Sequence, residues 1–223
     1  MIGIIGAMDC ETIGIKKLIE NKEIKTISSI EYVSGKLNGK DVVCAMCNPG
    51  KVNSAVCAQT MILNYKPEII INTGIAGSLT DKLNVLDYAV ATSLVQHDYD
   101  CTALGQEKGQ IDGINVTYFK CDEKAVEILK KLNSESQTLC GVIATGDIFV
   151  NENELKKELV NNFNAIACEM EGASVAHVCY LNNTKFAVSR VISDSANGMD
   201  FVTFKNKASD KSIKIICDFI NEY

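Results

Sequence analysis

Arginine is nearly absent from this chain. Of its 22 basic residues in 223, one is an arginine, Arg190, and the others are lysines. A lysine is a point charge and cannot supply the planar, two-pronged grip of a guanidinium on phosphate, so a phosphate cradle built from arginines is excluded. No window is strongly basic and the formal net charge is −6, which argues against binding nucleic acid through its backbone. Proline is scarce: only Pro49 and Pro67 occur. No linker-like stretch, low-complexity segment or internal repeat appears, so residues 1–223 read as one domain. No apolar run reaches the roughly 18 residues of a membrane span. The apolar start, Met1 to Met8, lacks a basic flank and runs at once into Asp9 and Glu11. It reads as a core strand rather than a signal peptide, and the expected location is cytoplasmic.

Metal signatures are missing as well. The two histidines, His97 and His177, are far apart in sequence, and the ten cysteines include one close pair, Cys44-x-x-Cys47, inside an apolar strand-like run. Without a second pair or histidines at ligand spacing, zinc is not indicated. These thiols read as small buried apolar groups of a reducing compartment, with a redox or metal role for Cys44 and Cys47 as the weaker alternative. No metal and no cofactor are expected.

What the chain does contain is a regular alternation. Short all-apolar runs at Ile2–Ala7, Val42–Cys47, Ile69–Asn72, Ala89–Leu94, Gly141–Thr145, Ala165–Cys168 and Phe186–Ile192 read as strands covered on both faces. Helix-period segments lie between them: Cys10–Asn21, Val52–Asn64, Asp122–Leu132, Asn153–Asn161, Gly172–Leu181 and Phe201–Glu222. Asp122 and Asn151 are candidate N-caps. Glu31–Leu37 and Lys40–Cys47, around Asn38-Gly39, read as a hairpin with a type I′ turn. The fold class is therefore α/β: a single domain with a twisted, mixed, largely parallel central sheet flanked by helices.

In such sheets ligands sit beyond the carboxyl ends of the strands. Met8–Glu11, Asn48–Lys51, Thr73–Gly77, Gly146–Val150, Glu169–Glu171 and Ser193-Asp194 all fall there. Each group has a plain structural reading. Gly74 and Gly77 could shape a tight turn, Glu11 and Glu171 could sit in a helical first turn and complement its dipole, and Asp194 could be an N-cap. Phe149 could plug a core rather than stack on a flat ring, and His177 reads as a hydrogen-bonded core or interface side chain. Three carboxylates, Glu11, Glu171 and Asp194, on three strand ends of one rim argue jointly for a site. Glu171 can accept hydrogen bonds from vicinal hydroxyls, and Asp194 can hold a proton for a leaving group.

Taken in order and spacing, Ile4 to Glu11, Gly50 to Asn53, Ile71 to Gly77, His97-Asp98, Gly146 to Phe149, Glu169-Met170-Glu171 and Ser193-Asp194 resemble the bacterial 5′-methylthioadenosine/S-adenosylhomocysteine nucleosidases over essentially the whole chain. The resemblance implies a nucleoside phosphorylase-like three-layer α/β/α fold and a hydrolase without cofactor. It implies that Glu11 activates water, Asp194 protonates adenine at N7 and Glu171 binds the ribose hydroxyls with Met170 packed on the sugar. Phe149 would stack on adenine and the Val150 backbone would bond its edge. Ser193 and Arg190 would position neighbouring groups, Ala76 and Gly77 would line the site, and Phe204 would close over the 5′ side. Met8 and Glu169 belong to the same expected substrate-binding set. Asp194 has to be protonated at neutral pH, so burial or hydrogen bonding should raise its pKa.

The chain also departs from the family's common pattern. Asn48-Pro49-Gly50-Lys51 stands where Gly-Ile-Gly-Lys is usual, Ile75 where serine is common and Asn197 where aspartate is. Leu104 stands where the family often supplies a phenylalanine to a neighbouring subunit's pocket, and Pro49 and Leu104 are both expected on the 5′-alkylthio side. The resemblance implies a homodimer, with the region His97–Gly105 reaching the neighbour, and an adenine thionucleoside and water as partners, without nucleic acid or membrane. The alternatives are a purine nucleoside phosphorylase of the same fold, which one arginine disfavours, and a non-catalytic nucleoside-binding or storage protein, which three retained carboxylates disfavour. Futalosine-type and deoxyadenosine-type nucleosides are possible side substrates.

Overall fold

The computed structural model describes residues 1–133, 135–196 and 198–223, with the backbone alone at 198 and 199. Asn197, one of the departures named above, lies outside the described residues. Ten strands and six α-helices follow one another as β1 (Ile2–Gly6), α1 (Asp9–Leu18), β2 (Glu20–Ile27), β3 (Ile30–Leu37), β4 (Lys40–Met46), α2 (Lys51–Tyr65), β5 (Ile69–Ser78), β6 (Tyr88–Gln96), β7 (Phe119–Lys120), α3 (Glu123–Leu132), β8 (Thr138–Thr145), α4 (Asn153–Phe163), β9 (Ala165–Glu169), α5 (Gly172–Leu181), β10 (Lys185–Asp194) and α6 (Gly198–Glu222). A 3₁₀ turn at Thr102–Leu104 interrupts the long connection after β6.

All strands join one mixed sheet, ordered β10-β6-β8-β9-β5-β1-β4-β3-β2, with β7 on β6. Because β10 also pairs with β5, strands β5, β10, β6, β8 and β9 form a closed circuit, and β1, β4, β3 and β2 extend from it as an open wing. The longest pairings, β5–β10 and β6–β8, are parallel. Antiparallel pairing enters through the β2–β3–β4 meander and the contacts β10–β6, β5–β9 and β6–β7. Alternate residues of β1 serve opposite faces, as the two-residue period of a strand requires. Ile5 joins the core with Met61 of α2 and Val175 of α5. Ile2 and Ile4 join the core with Ile15 of α1, Leu129 of α3 and Phe219 of α6. The layers are thus helix, sheet, helix. Cys44 falls in one of these cores and Cys47 in the other, so Cys44-x-x-Cys47 straddles the sheet and is no dithiol pair. Burial pushes the Cys44 thiol up to about 12, with the Lys16 charge acting weakly against it.

The hairpin turn has both residues at positive φ, Asn38 at 52° and Gly39 at 78°, the backbone a type I′ turn demands. Asp122 caps α3, its carboxylate accepting from the Ala125 N–H at 3.0 Å. Three expectations need correction. Helix α1 stops at Leu18 instead of continuing to Asn21, because Ile19 is extended and buried and the charged segment after it pairs with β3. That segment, β2, has no apolar run to betray it: every residue of it but the last is exposed, as befits an edge strand. Asn151 does not cap α4; Glu152 holds that position, without a side-chain cap bond. The glycines of Thr73–Gly77 do not form a turn. β5 continues to Ser78 because β10 runs beside it, through Asp194 opposite Gly77. Among the described residues no helix is long and apolar enough to cross a membrane.

Candidate active site

At the carboxyl ends of β1, β5, β9 and β10 lies a cavity of about 210 Å³. It is lined by Ala7, Met8, Glu11, Pro49, Ile75, Ala76, Gly77, Ile148, Phe149, Val150, Cys168, Glu169, Met170, Glu171, Ser193, Asp194 and Phe201. The three carboxylates singled out from the sequence therefore face one space.

Glu11 sits in the first turn of α1, 3% exposed. One carboxylate oxygen accepts from the backbone N–H of Ala7 at 2.7 Å and of Met8 at 2.9 Å, and the other from Ile75 N–H at 3.1 Å. The helix-end role and the cavity role are thus met by one side chain. Burial raises its pKa, while the Arg190 charge and these three N–H donors pull against it. Gly74 is what makes room: it has φ +152°, and a Cβ there would lie 2.4 Å from a Glu11 carboxylate oxygen. This glycine is a close-approach residue.

Glu169 and Glu171 straddle the end of β9. Glu169 has no free oxygen: it accepts from Thr145 Oγ1, from the Arg190 guanidinium, and from the backbone N–H of Glu171 at 3.0 Å and of Gly172 at 2.7 Å. Arg190 is 1% exposed and lies behind the cavity wall. Besides Glu169 it donates to the Asn72 side chain and, at 2.9 Å each, to the carbonyls of Asn72 and Ser189. Burial works against its charge, but Glu169, Glu171 and Glu11 outweigh that and hold its pKa above the ordinary value. Glu171 occupies the N-cap position of α5 without making a cap bond. It accepts instead from Gly50 N–H at 2.9 Å. Burial, reinforced by the Glu169 charge, pushes its pKa up to about 8.

Asp194 ends β10, 3% exposed. Ser193 Oγ donates to it at 2.6 Å and lies 3.3 Å from the Ala76 carbonyl. Asp194 is a strand residue and not the N-cap of α6. Phe149, 46% exposed, meets Phe201 edge to face with ring centres 5.4 Å apart. Val150 is buried in a small core with Leu159 and Phe163 of α4.

Of the residues singled out from the sequence, the cavity brings together Met8, Glu11, Pro49, Ala76, Gly77, Phe149, Val150, Glu169, Met170, Glu171, Ser193 and Asp194. Three stand apart. Arg190 supports the wall from behind. Leu104 projects from the 3₁₀ turn, 79% exposed and outside its own chain's cavity. Phe204 on α6 is half-buried and not part of the lining, and Phe201, one turn earlier, takes the place beside Phe149. Helical period puts 201 and 204 on the same face one turn apart, so only the packing of α6 selects between them. Ala7, Ile75, Ile148 and Cys168 also line the space and carried no chemical signal in the sequence; their position at strand ends was the one available cue. His177 is bonded through Nδ1 to Gln96 at 3.2 Å and stacks on Phe119. Among the described residues no group of three or more His, Cys, Asp or Glu could hold a metal ion.

The phosphorylase superfamily model matches residues 1–221. The 5′-methylthioadenosine/S-adenosylhomocysteine nucleosidase of Shewanella loihica is 37% identical over 226 residues, covering 98% of either chain. The crystal structure of the Neisseria meningitidis enzyme of that name, in complex with methylthio-immucillin-A, superposes with a TM-score of 0.96 at 31% identity, covering 100% of this chain and 99% of that one. A futalosine hydrolase of Helicobacter pylori superposes with a TM-score of 0.95 at 35% identity, covering 100% and 97%. With near-complete coverage in both directions, the chain belongs to the phosphorylase superfamily and, within it, to the family of the 5′-methylthioadenosine/S-adenosylhomocysteine nucleosidases.

Proposed function

We propose that this protein hydrolyses the N-glycosidic bond of 5′-methylthioadenosine and S-adenosylhomocysteine, releasing adenine with methylthioribose or S-ribosylhomocysteine. The observation that carries the reading is the meeting of Glu11, Glu171 and Asp194 in one small cavity while the only arginine is spent on Glu169 and Asn72. No guanidinium faces the cavity to hold phosphate, which favours water over phosphate as the nucleophile.

Cleavage builds positive charge on the ribose and negative charge on the base. Asp194 gives its proton to N7 as the bond from C1′ to N9 breaks and its electron pair passes into the purine, which leaves neutral. Glu11 takes the proton of the water that adds to C1′. Its three backbone donors fix the carboxylate before the reaction, so little reorganisation is needed. Glu171 accepts from the ribose hydroxyls, with Met170 beside the sugar. Ser193 orients Asp194, and Phe149 and the Val150 backbone hold the base. Glu169 and Arg190 act through Glu171, whose N–H Glu169 binds.

The proposal includes a homodimer in the cytoplasm. It is supported by apolar side chains left in solvent on α2 and α5, Val52 at 74%, Leu63 at 65% and Leu181 at 58% exposed, together with Leu104. Adenine release from methylthioadenosine, with and without phosphate and with the sugar product weighed by mass spectrometry, tests the function. Free methylthioribose without phosphate is expected. A sugar-1-phosphate formed only with phosphate would make the protein a phosphorylase. The Helicobacter neighbour makes futalosine the first other substrate to assay.

A further inference from the structure

One tight turn links Glu171 to Asp147, the residue before the cavity-lining segment 148–150. The Gly50 N–H donates to Glu171 at 2.9 Å, and the next N–H along the chain, that of Lys51, donates to Asp147 Oδ1 at 2.7 Å. Gly50 has φ +102°, a conformation open to glycine that points these adjacent donors to different partners. The Lys51 side chain then closes a ring. Its ammonium lies 2.7 Å from Asp98 Oδ1 and 3.2 Å from Gln96 Oε1, and Asp98 Oδ2 accepts from Asp147 N–H at 2.9 Å. The Lys51 and Asp98 side chains are only 20% and 16% exposed. Burial acts to raise the Asp98 pKa, but the Lys51 ammonium and the Asp147 N–H prevail and keep it below the ordinary carboxylate value. Ser174 Oγ fixes the same turn from α5, donating to the Lys51 carbonyl at 2.6 Å.

Asp147 stands just before Ile148, Phe149 and Val150, the segment that forms the base side of the cavity. Among the described residues, this segment's hydrogen bonds to other parts of the chain run through Gly146, bonded to the Glu169 carbonyl, and through Asp147. We propose that Asp98 and Asp147, tied together by Lys51, are positioning residues of the hydrolysis: they set where the base-holding segment sits relative to the ribose carboxylate Glu171. Neither side chain lines the cavity, so both act through the segment they hold. The inference rests on the nucleosidase reading above.

The test compares Asp147→Ala, Asp147→Asn, Asp98→Ala and the double alanine variant, measuring kcat and KM for methylthioadenosine, the inhibition constant of free adenine, and Tm. Asp147→Ala should raise KM and the adenine constant together, by about tenfold, with a smaller change in kcat. Asp147→Asn, whose side-chain carbonyl still accepts from Lys51 N–H, should recover most of that loss. The double variant should be little worse than either single one, because both cut the same ring. A folded Asp147→Ala protein with unchanged KM and adenine constant overturns the inference, as does a loss confined to kcat or one equally large in the asparagine variant. If the alanine variants do not fold, Asp98→Asn decides: raised KM and adenine constant support the inference, unchanged values overturn it. Wild-type protein that releases no adenine sinks the nucleosidase reading and this inference with it, whereas wild-type turnover with unaffected variants sinks the inference alone.

Discussion

At the scale of the residue, the site works by tying its buried charges to fixed partners. Glu169 has both oxygens engaged, by Thr145, Arg190 and two backbone donors, and Glu171 and Asp194 beside it line the cavity. Replacing Asp194 with asparagine should lower kcat by several orders of magnitude while much of the binding of methylthioadenosine survives, because the loss falls on the transition state. Single-turnover kinetics beside direct binding would separate the two, and turnover close to wild type would remove Asp194 from the chemistry. Glu171 makes a second prediction. Its folded pKa of about 8 lies above the ordinary 4.5, so the protonated form is the one folding favours. That stabilisation is complete below about pH 4.5 and is lost as pH rises through 8. Urea midpoints measured from pH 5 to 9 should therefore decline more steeply for the wild type than for Glu171→Gln. Parallel curves would show that Glu171 titrates without cost. Glu11 shifts in the same direction, so activity that needs its ionised form should fade on the acid side.

At the scale of the element, local signals and tertiary pairing compete. Asp122 caps α3 as its sequence position suggests, and Asp122→Ala should cost about 1 kcal/mol in urea denaturation and leave kcat unchanged, since α3 does not line the cavity. A cost near zero would mean that water replaces the cap. The helix of Cys10–Asn21 was legible, but its end was not, because nothing in the charged segment after Leu18 announces an edge strand. The strands β5 and β10 run longer than their apolar runs. Thr73-Gly74 and Ser193-Asp194 are polar or small, and they remain extended because each strand supplies the other's hydrogen bonds. Functional residues at a strand end look like loop in a sequence for this reason: their chemistry displaces the apolar pattern while the neighbouring strand keeps the backbone straight.

At the scale of the molecule, the closed circuit of five strands and the wing built on β1 bring the ends of β1, β5, β9 and β10 to one rim. The same architecture leaves the exposed apolar faces of α2 and α5 without cover. Sedimentation equilibrium should give twice the chain mass, and charging the face with Val52→Glu and Leu63→Glu should halve it. A wild-type monomer at micromolar concentration would contradict the proposed dimer.

The order of strands and helices apart from β2 and β7, the mixed α/β class, the hairpin turn at Asn38-Gly39 and the identity of the three cavity carboxylates were written in the sequence alone, because period, turn chemistry and residue type are local properties. Tertiary structure decided the rest. It placed Arg190 behind the wall, chose Phe201 over Phe204 beside Phe149, set Gly74 against Glu11 and left Leu104 outside its own chain's cavity. Each of these depends on which distant strand or helix arrives as neighbour, and no local pattern encodes that distance.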